Sequence, residues 1–153
     1  MYWPGTATWY TNGIRMKNRN IVHKDDWSTP DYLYDELNAE FNFDFDPCPL
    51  MHDTDLWDGL EVPWGQCNFV NPPYSRKLKE AFVKKAIEES KLGKKCVMLL
   101  PVSTSTVLFH KHILPNKKEI RFLFKRVKFC GYNTFGEYVT NIPGMHDSMI
   151  VIF

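Results

Sequence analysis

Four residues of strand character, Cys67-Asn68-Phe69-Val70, run straight into Asn71-Pro72-Pro73-Tyr74-Ser75. Each proline fixes its own φ and pushes the residue before it out of the helical region. Neither a helix nor a central strand can therefore continue through this corner, and a stiff bend at the carboxyl end of a strand is left. There the Asn71 side-chain oxygen and the Pro72 carbonyl can face one point as two acceptors, with the Tyr74 ring close enough to cover it. Such a corner suits a planar group bearing an NH₂, such as the exocyclic amine of adenine. Taken alone, the same residues also describe a proline-rich turn with a buried tyrosine.

The rest of the chain bounds what can be built around that corner. Its 153 residues suit one domain, and 44% hydrophobic with 24% charged residues is globular composition. An aromatic share of 15%, with five Trp, fits a fold that also stacks on flat ligands. No apolar run approaches the roughly 20 residues of a membrane span, and the amino terminus lacks the apolar core of a secretory signal. Cys48, Cys67, Cys96 and Cys130 are widely spaced with no C-x-x-C pair. They are expected to be reduced, mostly buried thiols of a cytosolic protein, and no metal site is expected.

Net charge is only +1, yet the positive residues cluster. Arg15, Lys17, Arg19, His23 and Lys24 form one group, Arg76, Lys77 and Lys79 follow the proline corner, and Lys125, Arg126 and Lys128 form a third. Gathered on one face they would neutralise phosphates; any one cluster alone reads as solvated surface.

Along the chain, residues 1–24 show no period and read as an arm. Ser28-Thr29-Pro30-Asp31 has the hydroxyl, proline and carboxylate of a helix start, and Leu33, Leu37 and Phe41 then fall four apart. Phe43 and Phe45 alternate with Asp44 and Asp46, which predicts a short strand ending at Asp46-Pro47. Residues 50–66 are turn-rich. Leu78, Phe82, Ala86 and Ile87 keep helical spacing, Lys84/Glu88 and Lys85/Glu89 sit at i,i+4, and Gly93 is placed to stop the helix. Cys96-Val97-Met98-Leu99-Leu100 reads as a strand buried on both faces, broken at Pro101. A short helix over 106–114 and closing strands over 120–129 and 148–153 complete an α/β pattern of mostly parallel order. Sites in such sheets lie beyond the carboxyl ends of the strands, which would gather Asp46, Asn71 and Pro101 into one crevice.

Four segments in this order carry a resemblance: Trp27-Ser28-Thr29-Pro30, Phe45-Asp46-Pro47-Cys48-Pro49, Asn71-Pro72-Pro73-Tyr74, and Val97-Met98-Leu99-Leu100-Pro101. Arg126-Val127-Lys128-Phe129 and the terminal Asp147-Ser148-Met149-Ile150-Val151-Ile152-Phe153 add a weaker fifth. Together they resemble the phage-type DNA adenine-N6 methyltransferases. The NPPY corner alone is shared with enzymes that methylate other amines; the ordered combination is far more specific.

The resemblance implies an S-adenosylmethionine-dependent enzyme on a Rossmann-like class I methyltransferase fold, with residues 25–153 as a single domain. It implies a mostly parallel central sheet with an antiparallel C-terminal strand pair. Only 71 − 46 = 25 positions separate Asp46 from Asn71, so the sheet should be abbreviated between the first strand and the NPPY strand. The methyl donor is then expected to contact Trp27, Thr29, Pro30, Asp46, Pro47 and Cys48. Asp46 would meet its ammonium or ribose, and Thr29-Pro30 would approach its carboxylate at a helix amino terminus. The competing readings are a strand-ending Asp-Pro turn and simple helix capping. Of Asp53, Asp55 and Asp58, Asp58 best matches the family pattern for binding the donor's ribose or adenine. No G-x-G loop follows the first strand.

Asn71, Pro72, Pro73 and Tyr74 form the expected catalytic corner. The two acceptors would hold the adenine amine, and Tyr74 would stack on a base drawn out of the duplex. Ser75, Arg76, Lys77, Ser103, Thr104, Arg126 and Lys128 are the candidate contacts to DNA. Phe129 or Tyr132 would cover the base's other face, with core packing as the alternative. A chain this short leaves sequence specificity to loops such as 50–66 and 130–146, or to a homodimer. The expected setting is the cytoplasm of a bacterial host. The same chemistry on RNA or a protein amide, and a non-catalytic nucleic-acid-binding descendant, are the alternatives.

Overall fold

A computed structural model describes residues 27–50, 52–132 and 135–153. The arm expected over 1–24, with its basic residues Arg15, Lys17, Arg19, His23 and Lys24, lies outside them.

The central sheet has the order β2-β3-β7-β4, with β2 at Cys67–Val70, β3 at Lys95–Pro101, β7 at Ser148–Ile152 and β4 at Glu119–Phe122. β2 pairs parallel with β3, whereas β7 is antiparallel to both β3 and β4. Hence β2, β3 and β4 run one way and β7 runs against them, a mixed sheet. The strand expected over Phe43 and Phe45 shrinks to a single parallel bridge from Phe45 to Asn68 at the open edge of β2. Asp44 explains the short pairing: its carboxylate accepts from the Gln66 and Cys67 amides, at 3.2 and 3.1 Å.

Both faces of the sheet are covered, so β3 is apolar and buried from Cys96 onward, after the exposed Lys95. Met98 and Leu100 point into a cluster with Phe82, Val83, Ala86 and Ile87 of α2 (Arg76–Lys91) and with Leu108, Phe109 and Ile113. Val97 and Leu99 point the other way, onto Leu33 and Leu37 of α1 (Asp31–Phe41) and onto Val127 and Phe129. This is the period-2 rule of a strand applied to two cores at once, with each large side chain contributing about 1.5–3 kcal/mol on burial. α2 ends as its sequence predicts, with Gly93 at φ +85° after the last turn. Glu89 is buried and held by Lys85 at 3.0 Å and by Lys94.

Other expectations change. Pro30, not a hydroxyl residue, is the N-cap of α1, and no side chain caps it. Ser28 instead belongs to β1 (Trp27–Ser28), because that stretch pairs antiparallel with β5 (Lys128–Tyr132). The helix of 106–114 is a π-helical turn at Leu108–Ile113 running into α3 (Leu114–Asn116). The expected strand 120–129 breaks after Phe122, and β5 leaves the central sheet to pair with β6 (Tyr138–Pro143). β1, β5 and β6 form a second, wholly antiparallel sheet. None of the four cysteines forms a disulfide; Cys48 and Cys96 are buried and Cys67 and Cys130 half-buried. Among the described residues no helix is long and apolar enough to cross a membrane.

Candidate active site

The corner after β2 is held from three sides. Pro72 and Pro73 are buried, and the Cys48 thiol donates to the Asn71 carbonyl at 3.2 Å. Cys48 is fixed in turn, its amide donating to Asp46 Oδ1 at 2.9 Å. The Asn71 side chain donates through Nδ2 to the Trp27 carbonyl at 2.7 Å. With its NH₂ so engaged, the amide has Oδ1 left to accept a bond. Among the described residues no hydrogen bond reaches the Pro72 carbonyl.

Tyr74 is half-buried against the core. Its hydroxyl donates to the Leu99 carbonyl at a long 3.5 Å, and its ring meets Phe129 edge-on at 5.9 Å and 89°. Burial lifts the Tyr74 hydroxyl well above the ordinary phenol range, and nearby Cys48 adds to the lift. Phe129 is 5% exposed, so it braces Tyr74 from inside the core.

A cleft of about 690 Å³ opens beside this corner. Its walls bring together Trp27, Thr29, Asp46, Cys48 and Asn71 from three separate segments of the chain. Asp31, Asp35, Tyr34 and Tyr138 also line it. The described lining holds three carboxylates and no lysine or arginine, a charge balance that favours a cationic ligand over a phosphate. Among the described residues, no hydrogen-bond partner reaches the buried Thr29 Oγ1 or Tyr34 Oη in this region. Buried hydroxyls ordinarily find partners, so two orphans beside one cleft mark a place that a polar ligand completes. Burial pushes the Tyr34 hydroxyl up to about 12, with Asp46 and Asp35 adding to the shift. It therefore stays a proton donor at neutral pH.

S-adenosylmethionine fits these features. It carries an ammonium and a sulfonium for the carboxylates to face, and polar groups for the buried hydroxyls.

Other expected contacts lie elsewhere. Pro30 caps α1 behind the cleft and Pro47 is buried beneath Gly59, where an added Cβ would lie 1.8 Å from the Pro47 carbonyl oxygen. Asp58 is not among the described residues lining the cleft. Its Oδ1 accepts from the Leu60 amide at 2.9 Å, and its carbonyl accepts from Glu61 and Val62. Asp53 likewise organises its own turn through the Asp55 amide.

Ser75 is the N-cap of α2 and Lys77 is exposed on its first turn. Arg76 and Ser103 line a second groove of about 340 Å³, together with Lys79 and Thr106. Arg76 also lies 3.3 Å from Glu80. Thr104 is exposed in the loop after β3, where Thr106 bonds the Ser103 carbonyl and the Phe109 amide. Arg126 pairs with Asp147 at 3.3 Å, and Lys128 is exposed on β5. Tyr132 meets Tyr138 edge-on at 5.3 Å. Among the described residues no group of three or more His, Cys, Asp or Glu side chains is placed to hold a metal ion.

Sequence reasoning missed Tyr34, Asp31, Asp35 and Tyr138. For Tyr34 a signal existed: it sits one helical turn after Pro30, and residues at i and i+4 share a face. Tyr138 had none, because only the unforeseen second sheet brings β6 to the cleft.

The family model described as DNA N-6-adenine-methyltransferase (Dam) matches residues 17–153. The DNA N-6-adenine-methyltransferase of Haemophilus phage HP1 (strain HP1c1) is 33% identical over 151 residues, spanning 92% of this chain and 84% of the relative. That of Escherichia phage T1 is 33% identical over 111 residues, 64% of this chain and 45% of the relative. No solved structure matches the chain.

Proposed function

The chain belongs to the DNA N-6-adenine-methyltransferase family, and from that premise we propose that it transfers a methyl group from S-adenosylmethionine to the N6 amine of adenine in DNA. The observation that carries this is the cleft in which Asn71 faces the same space as Trp27, Thr29, Asp46 and Cys48. The sheet supports a Rossmann-like methyltransferase fold: three strands run one way, β7 is inserted against them, and the chain is abbreviated between the Phe45 bridge and β2. On that reading the functional groups sit beyond the carboxyl ends of the strands.

In this mechanism the donor, when bound, supplies an electrophilic methyl group. Trp27, Thr29, Tyr34, Asp46 and Cys48 form its walls, with the carboxylates facing positive charge and the Thr29 and Tyr34 hydroxyls completing their hydrogen bonding. Adenine's amine is a weak nucleophile, since its lone pair is delocalised into the ring. Asn71 Oδ1 and the Pro72 carbonyl each accept one of its N–H bonds and so favour the pyramidal nitrogen, whose lone pair is freed for attack. Bound there, the donor would give up its methyl group to that nitrogen with loss of its S–C bond, and the proton displaced from the nitrogen would pass to water. Positioning and preoriented dipoles are the chief contributions of the protein. Tyr74 stacks on the extruded base. Arg76, Lys77, Lys128 and the hydroxyls of Ser75, Ser103 and Thr104 contact the backbone of the DNA, and the setting is the host cytoplasm.

The test is incubation with tritiated S-adenosylmethionine and, in parallel, unmethylated DNA, RNA and protein acceptors, the nucleic acids then being digested to nucleosides. Label in N6-methyldeoxyadenosine is expected. Label confined to RNA or protein acceptors, or its absence from all three, overturns the reading.

A further inference from the structure

An enzyme that acts on a base inside a duplex must draw it out of the stack, and proteins that open a base step commonly insert an apolar side chain there. Phe124 is 95% exposed, the most exposed large hydrophobic side chain among the described residues, and Met145 is 85% exposed. An isolated phenylalanine in water gains nothing for the fold. These two belong to adjoining loops, one between β4 and β5 and the other between β6 and β7. The Gly144 amide donates to the Val127 carbonyl at 3.0 Å, and Arg126 reaches Asp147.

The loops also stand at the catalytic rim. The Val102 amide, just past the end of β3, donates to the Asp147 carbonyl at 2.8 Å, and the Leu123 amide donates to Ser148 at 3.0 Å. Phe129, two residues into β5, braces Tyr74. Around Phe124 the charge is positive: the Lys125 ammonium lies 5.6 Å from its ring centre, and Arg126 and Lys128 follow. Asp147 is the single carboxylate these contacts include.

We propose that Phe124 is the wedge that enters double-stranded DNA beside the target adenine and holds the gap open, while Lys125, Arg126 and Lys128 grip the flanking phosphates. An exposed aromatic ring among cations suits the base stack within its phosphate frame. The proposal rests on the function above, since it presupposes a base drawn from a duplex, but it concerns a residue outside the donor cleft.

The experiment uses an oligonucleotide with an adenine that the wild-type protein methylates, offered as intact duplex, as single strand, and as duplex with an abasic position opposite the target. A parallel set carries 2-aminopurine at the target, whose fluorescence rises on unstacking. Phe124→Ala is expected to lose about tenfold or more in kcat/KM on the intact duplex, together with the fluorescence rise. It should stay within about twofold of wild type on the single strand and the abasic duplex, and should keep the thermal shift with S-adenosylmethionine. Phe124→Trp should restore duplex activity. Equal losses on all three substrates, or unchanged duplex activity and fluorescence in Phe124→Ala, overturn the wedge. A wild-type protein that labels no adenine overturns the proposed reaction instead; duplexes carrying 2-aminopurine at each adenine position in turn then decide the wedge, by whether Phe124→Ala loses a fluorescence rise that wild type shows.

Discussion

The Asn71 side-chain amide donates to the Trp27 carbonyl at 2.7 Å across 44 residues of chain. This bond couples the two sheets at the point where chemistry is proposed. β1 carries Trp27 and is held by β5, while Asn71 directly follows β2 of the central sheet. Because Nδ2 is oriented by Trp27, Oδ1 is the acceptor offered to the proposed substrate amine.

Replacing Asn71 tests the orientation as well as the group. Asn71→Ala should lower kcat about 10²- to 10³-fold, as removal of an oriented polar group commonly does, with little change in KM for the donor. Asn71→Asp sets an ionised oxygen against the Trp27 carbonyl with no proton to share. It should lower Tm further than Asn71→Ala, measured by thermal unfolding at neutral pH.

Tyr34→Phe separates the fold's interest from the ligand's. A buried hydroxyl without a partner costs about 1–3 kcal/mol, so the variant should unfold at a higher temperature than wild type in the absence of ligand. The stabilisation gained from S-adenosylmethionine should shrink in the same variant. A ligand shift as large as that of wild type would show that the hydroxyl does not meet the donor.

The same residue predicts an alkaline effect. Folded Tyr34 keeps its proton up to about 12, against an ordinary 10.0, so between these values the folded state binds more protons than the unfolded. Stability must then fall as pH rises through that window. Denaturant unfolding from pH 9 to 12 should show a smaller loss in Tyr34→Phe, though not its disappearance, since Tyr74 is shifted in the same direction.

Tyr74 should depend on its ring and little on its hydroxyl. The bond to Leu99 is at the outer limit of hydrogen-bond length, so Tyr74→Phe should retain activity within a few-fold. Tyr74→Ala removes a stacking surface worth about 1–3 kcal/mol per base. It should raise KM for DNA or lower kcat by about 10- to 100-fold, with donor binding by calorimetry unchanged.

Glu89 anchors the end of α2 from within. Burial alone would raise its carboxyl, but the bonds from Lys94 and Lys85 outweigh that and hold it below the ordinary 4.5. The stabilisation is therefore present above that value and is lost as pH falls through the lowered one. Glu89→Gln leaves Lys94 without its charged partner and should cost about 3 kcal/mol at neutral pH. Acid unfolding should show a shallower pH dependence in the variant.

Local chemistry made much of this legible. The Asn71-Pro72-Pro73 corner, the two-faced burial of β3 and the Gly93 stop each follow from constraints within a few residues, and each is in place. The alternation at Phe43 and Phe45 predicts a longer strand than forms, because it cannot reveal that Asp44 takes up the amides at the start of β2. Asp58 matches the family pattern for a donor contact, yet an aspartate before glycine is as well suited to holding its own turn, and its Oδ1 does accept from the Leu60 amide.

The sequence by itself determined the Asn71-Pro72-Pro73 corner and the family, because φ restriction, alternation and ordered motifs are written residue by residue. Only the tertiary structure decided which way the Asn71 amide points, that Tyr34 and Tyr138 share its cleft, and that Phe124 stands out at the rim. Those facts depend on pairings such as β1 with β5, between residues about 100 positions apart. No local period encodes the partner of a strand edge; burial of both sheet faces and closure of the second sheet select it.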